Sequence, residues 1–234
     1  MKSSLSVIVC AFNEEKNLPA AVDSILAALD HKFGSYEILI FDDGSTDGTG
    51  RIADQLSHQN SNIKVIHHKE NKGVGYTLRE AIELASKDYI ILFPGHNGIE
   101  EKSLAHTLDQ IGKADIIVGY LANPEYRPVL RRTLSRLYTL ILNFLFGLNF
   151  RYYNGLTLYP SKLLKPLAVS NPSYAFLAEV LIRLIKAGHT YVEVPTYHRK
   201  REHGSSKALQ FKNVKSVFVT ISKLFGEIYL EKEK

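Results

Sequence analysis

Two adjacent carboxylates follow a short apolar run and precede a turn. The stretch Tyr36–Thr49 reads YEILIFDDGSTDGT, with Asp42 and Asp43 directly after its apolar residues. If this run is a strand of a parallel sheet, both side chains lie outside its carboxyl end, where open α/β sheets bind ligands. A turn followed by a helix cap accounts for the Gly, Ser and Thr residues, yet it does not need two aspartates. The pair is therefore predicted to meet a ligand rather than to pack in a core.

A glycine-containing segment lies further along the chain, ahead of a predicted helix. In Asn71-Lys72-Gly73-Val74-Gly75, the backbone amides and Lys72 could approach a diphosphate, because helix N-termini favour anions. A plain turn fits two glycines at this spacing almost as well. The third glycine of a G-x-G-x-x-G motif is absent, which argues against a dinucleotide-dependent dehydrogenase.

Positive charge is concentrated in one part of the chain. The formal net charge is +5, and the segment Arg127–Arg151 holds five arginines and no acidic residue. A nucleic-acid-binding surface would combine such charge with exposed aromatic residues or a known reading module, and neither is present. A phosphate-bearing ligand or an anionic membrane surface is the better match, and no nucleic acid partner is expected.

A sheet must hold these groups in place, and the first half of the chain has the pattern for one. Short, β-branched apolar runs alternate with stretches of helical periodicity. The predicted strands are Leu5–Cys10, Tyr36–Phe41, Ile63–His68, Asp88–Phe93 and Ala114–Gly119. One predicted helix begins at Asn17, and three more cover Asp47–Leu56, Tyr76–Ser86 and Glu100–Ile111. Repeated strand-helix-strand units predict an α/β, Rossmann-like fold with a mainly parallel sheet flanked by helices.

The pattern changes after Gly119. An amphipathic helix is predicted at Arg131–Leu148, and Asn154–Pro160 is predicted to be irregular. A helix over residues 173–187, a strand over residues 190–195, a basic loop and a final helix over residues 209–230 follow. No linker separates these pieces from the sheet, so they are expected to build the second side of one site.

Four segments in order carry a resemblance to a known family. They are VIVCAFNEEKNL, ILIFDDGSTDGT, NKGVGYTLREAIELASKDYIILF, and Arg201-Glu-His-Gly204-Ser-Ser206-Lys207. The set resembles family 2 glycosyltransferases, and within them the polyprenyl-phosphate sugar transferases related to dolichyl-phosphate mannose synthase. The resemblance covers nearly the whole chain. It implies the GT-A fold, a UDP- or GDP-linked sugar donor in residues 1–120, and an acceptor-binding part with amphipathic helices in residues 121–234 of one continuous domain.

The resemblance also implies a donor site at the ends of the first two strands. The loop after the first strand would wall the nucleobase, with Glu14 accepting a hydrogen bond from the base or ribose; its members are Ala11, Phe12, Asn13 and Glu14. A helix-capping acid is the alternative for Glu14. Asp42 or Asp43 would accept from the base imide or the ribose hydroxyls, because an ionised carboxylate only accepts hydrogen bonds. Lys72 and Gly73 would face the donor diphosphate.

One position departs from the family pattern. The predicted strand Asp88–Phe93 runs into Pro94-Gly95-His96-Asn97-Gly98, where the family carries Asp-x-Asp to hold a divalent ion against the diphosphate. His96 therefore stands at a metal-ligand position, and Gly95, His96 and Asn97 are expected at the donor. Hard ions such as Mg²⁺ prefer carboxylate oxygen, whereas imidazole suits softer metals. Of the implied cofactors, Mn²⁺ or Mg²⁺, we expect weak use of Mn²⁺ or no metal ahead of strong Mg²⁺ binding.

Basic residues are implied at the acceptor. Arg131, Arg132 and Ser135 match an Arg-x-x-x-Ser helix that contacts lipid phosphate in the family, since a guanidinium fork suits phosphate geometry. A solvated basic helix face is the alternative. The segment with Arg201, Gly204, Ser206 and Lys207 resembles a loop that closes over the diphosphate and the acceptor. Arg131, Arg201 and Lys207 are assigned the catalytic task of neutralising the departing nucleotide. His198 and His203 receive no role.

A second departure concerns the catalytic base. The chain has Tyr152-Tyr-Asn154-Gly155 where the lipid-phosphate enzymes often carry Asp-x-x-Ser-Gly. A phosphate acceptor is already anionic at neutral pH and needs little deprotonation. For a sugar hydroxyl acceptor, Glu179 would be the candidate base, although it could equally be a structural carboxylate.

These expectations combine into one function with alternatives. We expect an inverting glycosyltransferase that acts on a dolichyl or undecaprenyl phosphate. Two alternatives stay open: transfer to a saccharide hydroxyl in surface-polysaccharide assembly, and nucleotide-sugar binding without catalysis. No run reaches the roughly 18 apolar residues of a spanning helix. The arginine-rich helix therefore predicts peripheral attachment to the cytoplasmic face of a membrane, with a membrane-embedded partner or a second copy as further candidates.

Overall fold

The computed structural model describes residues 3–29, 33–167, 169, 175–200 and 211–230. They form a seven-stranded sheet of order β3-β2-β1-β4-β6-β5-β7. The strands are β1 (Ser4–Ala11), β2 (Ser35–Asp42), β3 (Ile63–His67), β4 (Tyr89–Pro94), β5 (Ile116–Leu121), β6 (Thr157–Pro160) and β7 (Tyr191–Thr196). The helices are α1 (Leu18–Leu29), α2 (Thr49–Gln59), α3 (Val74–Leu84), α4 (Glu101–Leu108), α5 (Val129–Phe146), α6 (Ser161–Leu164), α7 (Phe176–Lys186) and α8 (Phe211–Tyr229).

The sheet is mainly parallel, as the sequence predicts, with one exception. β6 runs antiparallel between β4 and β5, so that Leu158 is paired with Ile91 on one side and Ile117 on the other. The expectation that Asn154–Pro160 is irregular was therefore wrong for its last four residues. All four are buried. A strand this short, covered on both faces, shows no alternation of polar and apolar residues by which it could be recognised.

Alternation along the central strands divides the core into two layers. In β2, Ile38 and Ile40 pack on one face, while Leu39 and Phe41 pack on the other. Successive side chains of a strand point to opposite faces, so an unbroken apolar run indicates a sheet covered on both sides. Helices α1, α2 and α4 contribute to the first layer, and α3, α5, α7 and α8 contribute to the second.

Helix α5 is only weakly tied to the core. Its buried residues are Thr139, Leu142 and Phe146. It ends at Gly147, which has a φ of 58°, a left-handed conformation that glycine adopts without steric cost. The predicted range Arg131–Leu148 lies two residues too late at both ends, because the helix begins directly after Pro128.

A buried carboxylate, Glu37, links neighbouring strands near their amino-terminal ends. Glu37 is 2% exposed and accepts hydrogen bonds from Ser6 Oγ at 2.7 Å, from the Ser86 amide at 2.6 Å and from Lys64 Nζ at 3.0 Å. Burial alone would raise the pKa of Glu37, but these hydrogen bonds lower it to about 2. The carboxylate is therefore held ionised and links β1, β2, β3 and the segment before β4.

The two predicted parts of the chain share this one sheet. The boundary at residue 120 falls inside β5, and β6 and β7 from the second part complete the sheet. The assignment of donor and acceptor tasks to the two parts stays a prediction. In the described ranges, no helix has both the length and the apolar character needed to cross a bilayer.

Candidate active site

The loop after β1 is hydrogen-bonded to the loop after β2. Asn13 has a positive φ of 57°; its amide donates to Ser45 Oγ at 3.0 Å, and its side-chain oxygen accepts from the Thr46 amide at 2.8 Å. The Glu14 amide donates to Thr49 Oγ1 at 2.8 Å. Parallel strands bring both loops to the same edge of the sheet, so these contacts form one continuous wall there.

The predicted nucleobase residues lie in this wall. Ala11 ends β1, and its carbonyl accepts from the Asp43 amide at 2.9 Å. Phe12 is partly exposed, and Glu14 Oε2 accepts from Asn17 Nδ2 at 2.6 Å. The structure thus brings Ala11, Phe12, Asn13 and Glu14 beside the two aspartates. Their contact with a base stays a prediction.

Asp42 organises its own turn and one histidine. Its Oδ1 accepts from the Ser45 amide at 3.1 Å, and its Oδ2 lies 3.1 Å from His67 Nδ1. The other ring nitrogen of His67 lies 3.0 Å from Asp54 Oδ1. Hydrogen bonds to Asp42 and then to Asp54 raise the pKa of His67. This arrangement fixes the carboxylate of Asp42 at the carboxyl end of β2.

Asp43 joins the end of β2 to the segment between β3 and α3. It is 5% exposed; Oδ1 lies 2.7 Å from His68 Nδ1 and accepts from the Lys72 amide at 2.9 Å. Its Oδ2 accepts from the Gly73 amide at 2.9 Å. These two amides, which were expected to face the donor diphosphate, donate to Asp43 instead. Lys72 Nζ lies 4.4 Å from the centre of the Tyr76 ring, and its contact with the donor stays a prediction.

The turn between these elements requires glycine. Gly44 has a φ of 70°, and a Cβ at this position would collide with the backbone of Glu70 and Asn71. A side chain at this site would therefore push the Asn71–Gly73 segment away from Asp43. This close approach explains why a glycine follows the two aspartates.

The segment after β4 forms a tight turn against the end of β1. The Gly95 amide donates to the Cys10 carbonyl at 3.3 Å, and the Asn97 amide donates to the Pro94 carbonyl at 3.0 Å. Asn97 has a φ of 49°, and the His96 ring covers Gly98, where a Cβ would collide with it. The structure thus places Gly95 against Cys10 and Ala11 at the end of β1, and contact of Gly95, His96 and Asn97 with the donor stays a prediction.

The residues of this turn do not form the ion site that the resemblance implies. Across the part of the chain that the structure describes, no three His, Cys, Asp or Glu side chains lie close enough together to hold a metal ion. Mg²⁺ needs several hard oxygen ligands, and this turn offers an imidazole and an amide instead. The turn itself therefore offers an ion no carboxylate oxygen, and weak use of a divalent ion stays a prediction. A role for His96 as a ligand to Mn²⁺ stays a prediction.

A second cluster lies at the start of α5. Arg127 is 8% exposed; its Nε donates to Tyr126 Oη at 2.7 Å and its Nη1 donates to Tyr152 Oη at 3.1 Å. The Tyr126 ring stacks on His198 with centroids 5.9 Å apart. The backbone of His198 is held by Asn123, whose Nδ2 donates to the His198 carbonyl at 2.7 Å. This cluster joins the segments that follow β5 and β7.

The predicted acceptor residues begin directly beyond this cluster. Arg131, Arg132 and Ser135 lie on the first two turns of α5 and are partly exposed. Arg131 is close enough to lower the pKa of His198 by its charge. The other predicted residues of the closing loop, Arg201, Gly204, Ser206 and Lys207, lie outside the described residues.

Glu179 lies inside the protein. It is fully buried and accepts from Arg183 Nη2 at 2.7 Å, while Arg183 also pairs with Glu227 on α8. The ion pairs connect α7 to α8. A substrate hydroxyl could reach the Glu179 carboxylate only if this packing opened, so its use as a base stays a prediction that the geometry does not favour.

Comparison with known proteins decides the family. Residues 6–165 match the family described as Glycosyl transferase family 2. The chain belongs to glycosyl transferase family 2.

Relatives of this glycosyltransferase are named for polyprenyl-phosphate acceptors. It is 30% identical to the polyprenol monophosphomannose synthase of Mycolicibacterium smegmatis over 216 residues, covering 86% of this chain and 79% of that protein. It is 25% identical to the undecaprenyl-phosphate mannosyltransferase of Micrococcus luteus over 212 residues, covering 86% and 85% of the two chains. The resemblance that the motif order indicates is thereby confirmed.

Solved structures confirm the GT-A fold. Glucosyl-3-phosphoglycerate synthase from Mycobacterium tuberculosis with Mg²⁺ and UDP superposes with a TM-score of 0.72 at 17% identity, covering 96% of this chain and 80% of that one. The same enzyme with Mn²⁺, UDP-glucose and phosphoglyceric acid superposes with a TM-score of 0.69 at 18% identity, covering 96% of this chain and 80% of that one. Divalent ions thus accompany UDP in these structural neighbours.

Sequence reasoning missed three residues of the glycosyltransferase's second cluster. Tyr126, Arg127 and His198 were given no site role, although the acid-free arginine segment begins at Arg127. The signal was weak, because Arg127 and Tyr152 are 25 residues apart and Arg127 and His198 are 71 apart. The pairing of β5 with β7 brings Tyr126 and Arg127, which follow β5, close to His198, which follows β7.

Proposed function

We propose that this glycosyltransferase moves a sugar from a nucleoside-diphosphate sugar to a polyprenyl phosphate, with inversion at the sugar C1. Similarity over 86% of the chain to an enzyme named polyprenol monophosphomannose synthase carries the proposal. The arginines at the start of α5 support it, because a phosphate acceptor needs cations where it binds.

The chemistry needs no proton transfer. An anionic phosphate oxygen of the acceptor attacks C1 while the bond from C1 to the donor diphosphate breaks. The nucleoside diphosphate leaves with the bonding electrons, and cationic groups stabilise the charge that develops on it. Lys72, Arg131, Arg201 and Lys207 are the proposed cations. The presence of Asn154 in place of an aspartate is consistent with an acceptor that is already ionised.

The donor is proposed to bind along the wall formed by the loops after β1 and β2. Asp42 and Asp43 supply acceptor oxygens for the base or ribose, and Phe12 supplies an aromatic surface. Structural neighbours that bind UDP support a nucleotide here. Because His96 stands at the Asp-x-Asp position, dependence on a divalent ion is proposed to be weak, with Mn²⁺ preferred to Mg²⁺.

The acceptor's apolar chain requires access to a bilayer, and α5 offers an apolar face. Seven large apolar side chains on this helix are exposed: Val129, Leu130, Leu134, Leu137, Leu140, Ile141 and Phe144. Together with the arginines they support peripheral attachment to an anionic membrane, on the cytoplasmic face. A membrane-embedded protein or a second copy of the chain would be the alternative cover for this face.

A transfer panel tests the function. UDP- and GDP-linked hexoses are incubated with undecaprenyl phosphate, with a saccharide acceptor and with neither, and the products are separated by mass. We expect a glycosyl phospholipid from one donor. Product formed only on the saccharide would replace the proposal with the hydroxyl-transfer alternative. Tight binding of a nucleotide sugar without any product would indicate a protein that binds but does not catalyse.

A further inference from the structure

Arg127 is a buried cation without a buried anion. It is 8% exposed, and among the residues that the structure describes no carboxylate forms an ion pair with it. A guanidinium has five N–H donors. Two of them donate, through Nε and Nη1, to the hydroxyls of Tyr126 and Tyr152. Buried charges in proteins are normally paired, and neutral hydroxyls do not supply a countercharge.

The tyrosines hold the guanidinium in place. Its carbon lies 5.2 Å from the centre of the Tyr126 ring and 5.5 Å from the centre of the Tyr152 ring. The remaining donors, including both on Nη2, have no acceptor among the described residues. Because the fork is already oriented, little side-chain freedom would be lost when it binds a ligand.

His198 adds an unpaired polar atom beside this cation. Its ring stacks on Tyr126, and its Nε2 is buried without a hydrogen-bond partner in the described part of the chain. Burial, and then the positive charges of Arg127 and Arg131, lower the pKa of His198 to about 4. The imidazole is therefore neutral at physiological pH, and the positive charges of Arg127 and Arg131 lie near it.

The backbone adds to the positive potential. Helix α5 has 18 residues and begins at Val129, directly after Arg127 and Pro128, and its N-cap residue Pro128 makes no side-chain hydrogen bond to the first amides. The amino terminus of a long helix carries a partial positive charge and free N–H groups. Arginine, imidazole and helix terminus therefore favour an anion at the same place.

We propose that Arg127, supported by His198 and the first turn of α5, binds a phosphate group of a substrate. The proposal rests on the proposed function only for the source of that phosphate, which is either the polyprenyl phosphate or the diphosphate of the donor. It assigns to Arg127 a task that sequence motifs gave to Arg131 and Arg132, and it makes Tyr126 and Tyr152 positioning residues for the guanidinium.

The test compares Arg127→Gln with Arg136→Gln, an exposed arginine on the same helix. Binding of inorganic phosphate is measured by ³¹P NMR titration, and KM values are measured for the nucleotide sugar and for a short-chain polyprenyl phosphate in detergent. We expect Arg127→Gln to weaken phosphate binding roughly 10- to 100-fold, as loss of a hydrogen bond from a charged group does, and Arg136→Gln to leave it unchanged.

The two KM values identify the source of the phosphate. A rise confined to the polyprenyl phosphate assigns the site to the acceptor, and a rise confined to the nucleotide sugar assigns it to the donor. Unchanged phosphate binding together with unchanged KM values would overturn the proposal. If the parent transfers no sugar but binds phosphate through Arg127, the site stands and the proposed function fails.

Two milder variants distinguish loss of phosphate binding from a folding defect. Arg127→Lys retains the cation but loses the fork, and Tyr152→Phe removes one hydrogen bond that orients it. Both are expected to raise the affected KM by less than Arg127→Gln while the protein stays folded by circular dichroism. A purely structural role would instead lower the thermal midpoint of all three variants and leave phosphate binding by the folded protein unaltered, which would also overturn the proposal.

Discussion

The carboxylate of Asp43 accepts a hydrogen bond of 2.9 Å from the backbone amide of Gly73, a residue 30 positions further along the sequence. The same carboxylate contacts His68 and the Lys72 amide. One buried charge therefore sets the position of the segment between β3 and α3 relative to the end of β2. Any ligand that binds at Asp43 depends on this segment as well.

Replacement of Asp43 by Ala is expected to lower both stability and nucleotide affinity. Each hydrogen bond to a charged group contributes about 1.5–3 kcal/mol, and the variant leaves the Lys72 and Gly73 amides without their acceptor. Urea denaturation measures the free energy of unfolding, and calorimetric titration with UDP and GDP measures affinity. Asp23→Ala, an exposed carboxylate on α1, is the control. Unchanged affinity for both nucleotides would remove Asp43 from the donor site.

Glu37 predicts a loss of stability in acid. Its pKa in the folded protein is about 2, below the ordinary value of 4.5, so its contribution to stability is fully present above pH 4.5. That contribution is lost as the pH falls from 4.5 through 2, because the unfolded state binds the proton more readily. The free energy of unfolding of Glu37→Gln is expected to fall less steeply over this range than that of the parent. Parallel pH profiles would contradict the assignment.

His96 predicts an unusual response to metal ions. If its imidazole replaces a metal-bearing carboxylate, activity of the parent after exhaustive chelation should depend less on added Mg²⁺ than activity of His96→Asp. Transfer is measured with Mg²⁺, with Mn²⁺ and with neither. Parent activity that chelation abolishes and Mg²⁺ alone restores would show that other residues hold the ion.

The exposed face of α5 predicts binding to anionic vesicles at low salt. Phe144, which is 88% exposed, and Leu137 are each replaced by Ser, with Leu84→Ser on α3 as a matched exposed control. Co-sedimentation of the α5 variants is expected to decrease, because buried apolar area and charge together drive interfacial binding. If the parent does not bind, its mass in solution by light scattering would reveal whether a second copy covers this face.

Glu179 distinguishes a structural carboxylate from a catalytic base. Removing one partner of a buried ion pair costs about 3–5 kcal/mol, so Glu179→Gln is expected to lower the free energy of unfolding strongly. Glu227→Gln, which breaks the other pair of Arg183, should have a similar but smaller effect because Glu227 is partly exposed. A large loss of kcat in Glu179→Gln with unchanged stability would restore the role of base.

Much of the sheet could be predicted from local periodicity. The run Tyr36–Phe41 lies within β2 and Leu5–Cys10 lies within β1. Apart from Glu37 and Ser6, both runs are apolar because the sheet is covered on both faces. β6 could not be predicted, since four buried residues carry no alternation and their partners are distant in sequence. The positions of the aspartates at a strand's carboxyl end followed from the predicted order of strand and turn.

The sequence by itself determined the family, the mainly parallel sheet and the position of the two aspartates at a strand's carboxyl end, because motif order and the periodicity of strands are local properties of the chain. The tertiary structure alone decided which polar groups meet. It directed the Lys72 and Gly73 amides to Asp43, and it buried Glu179 against Arg183. It also placed Arg127 between two tyrosines. Such contacts depend on strand order and loop packing, which involve residues far apart in sequence. A local sequence pattern therefore does not predict them.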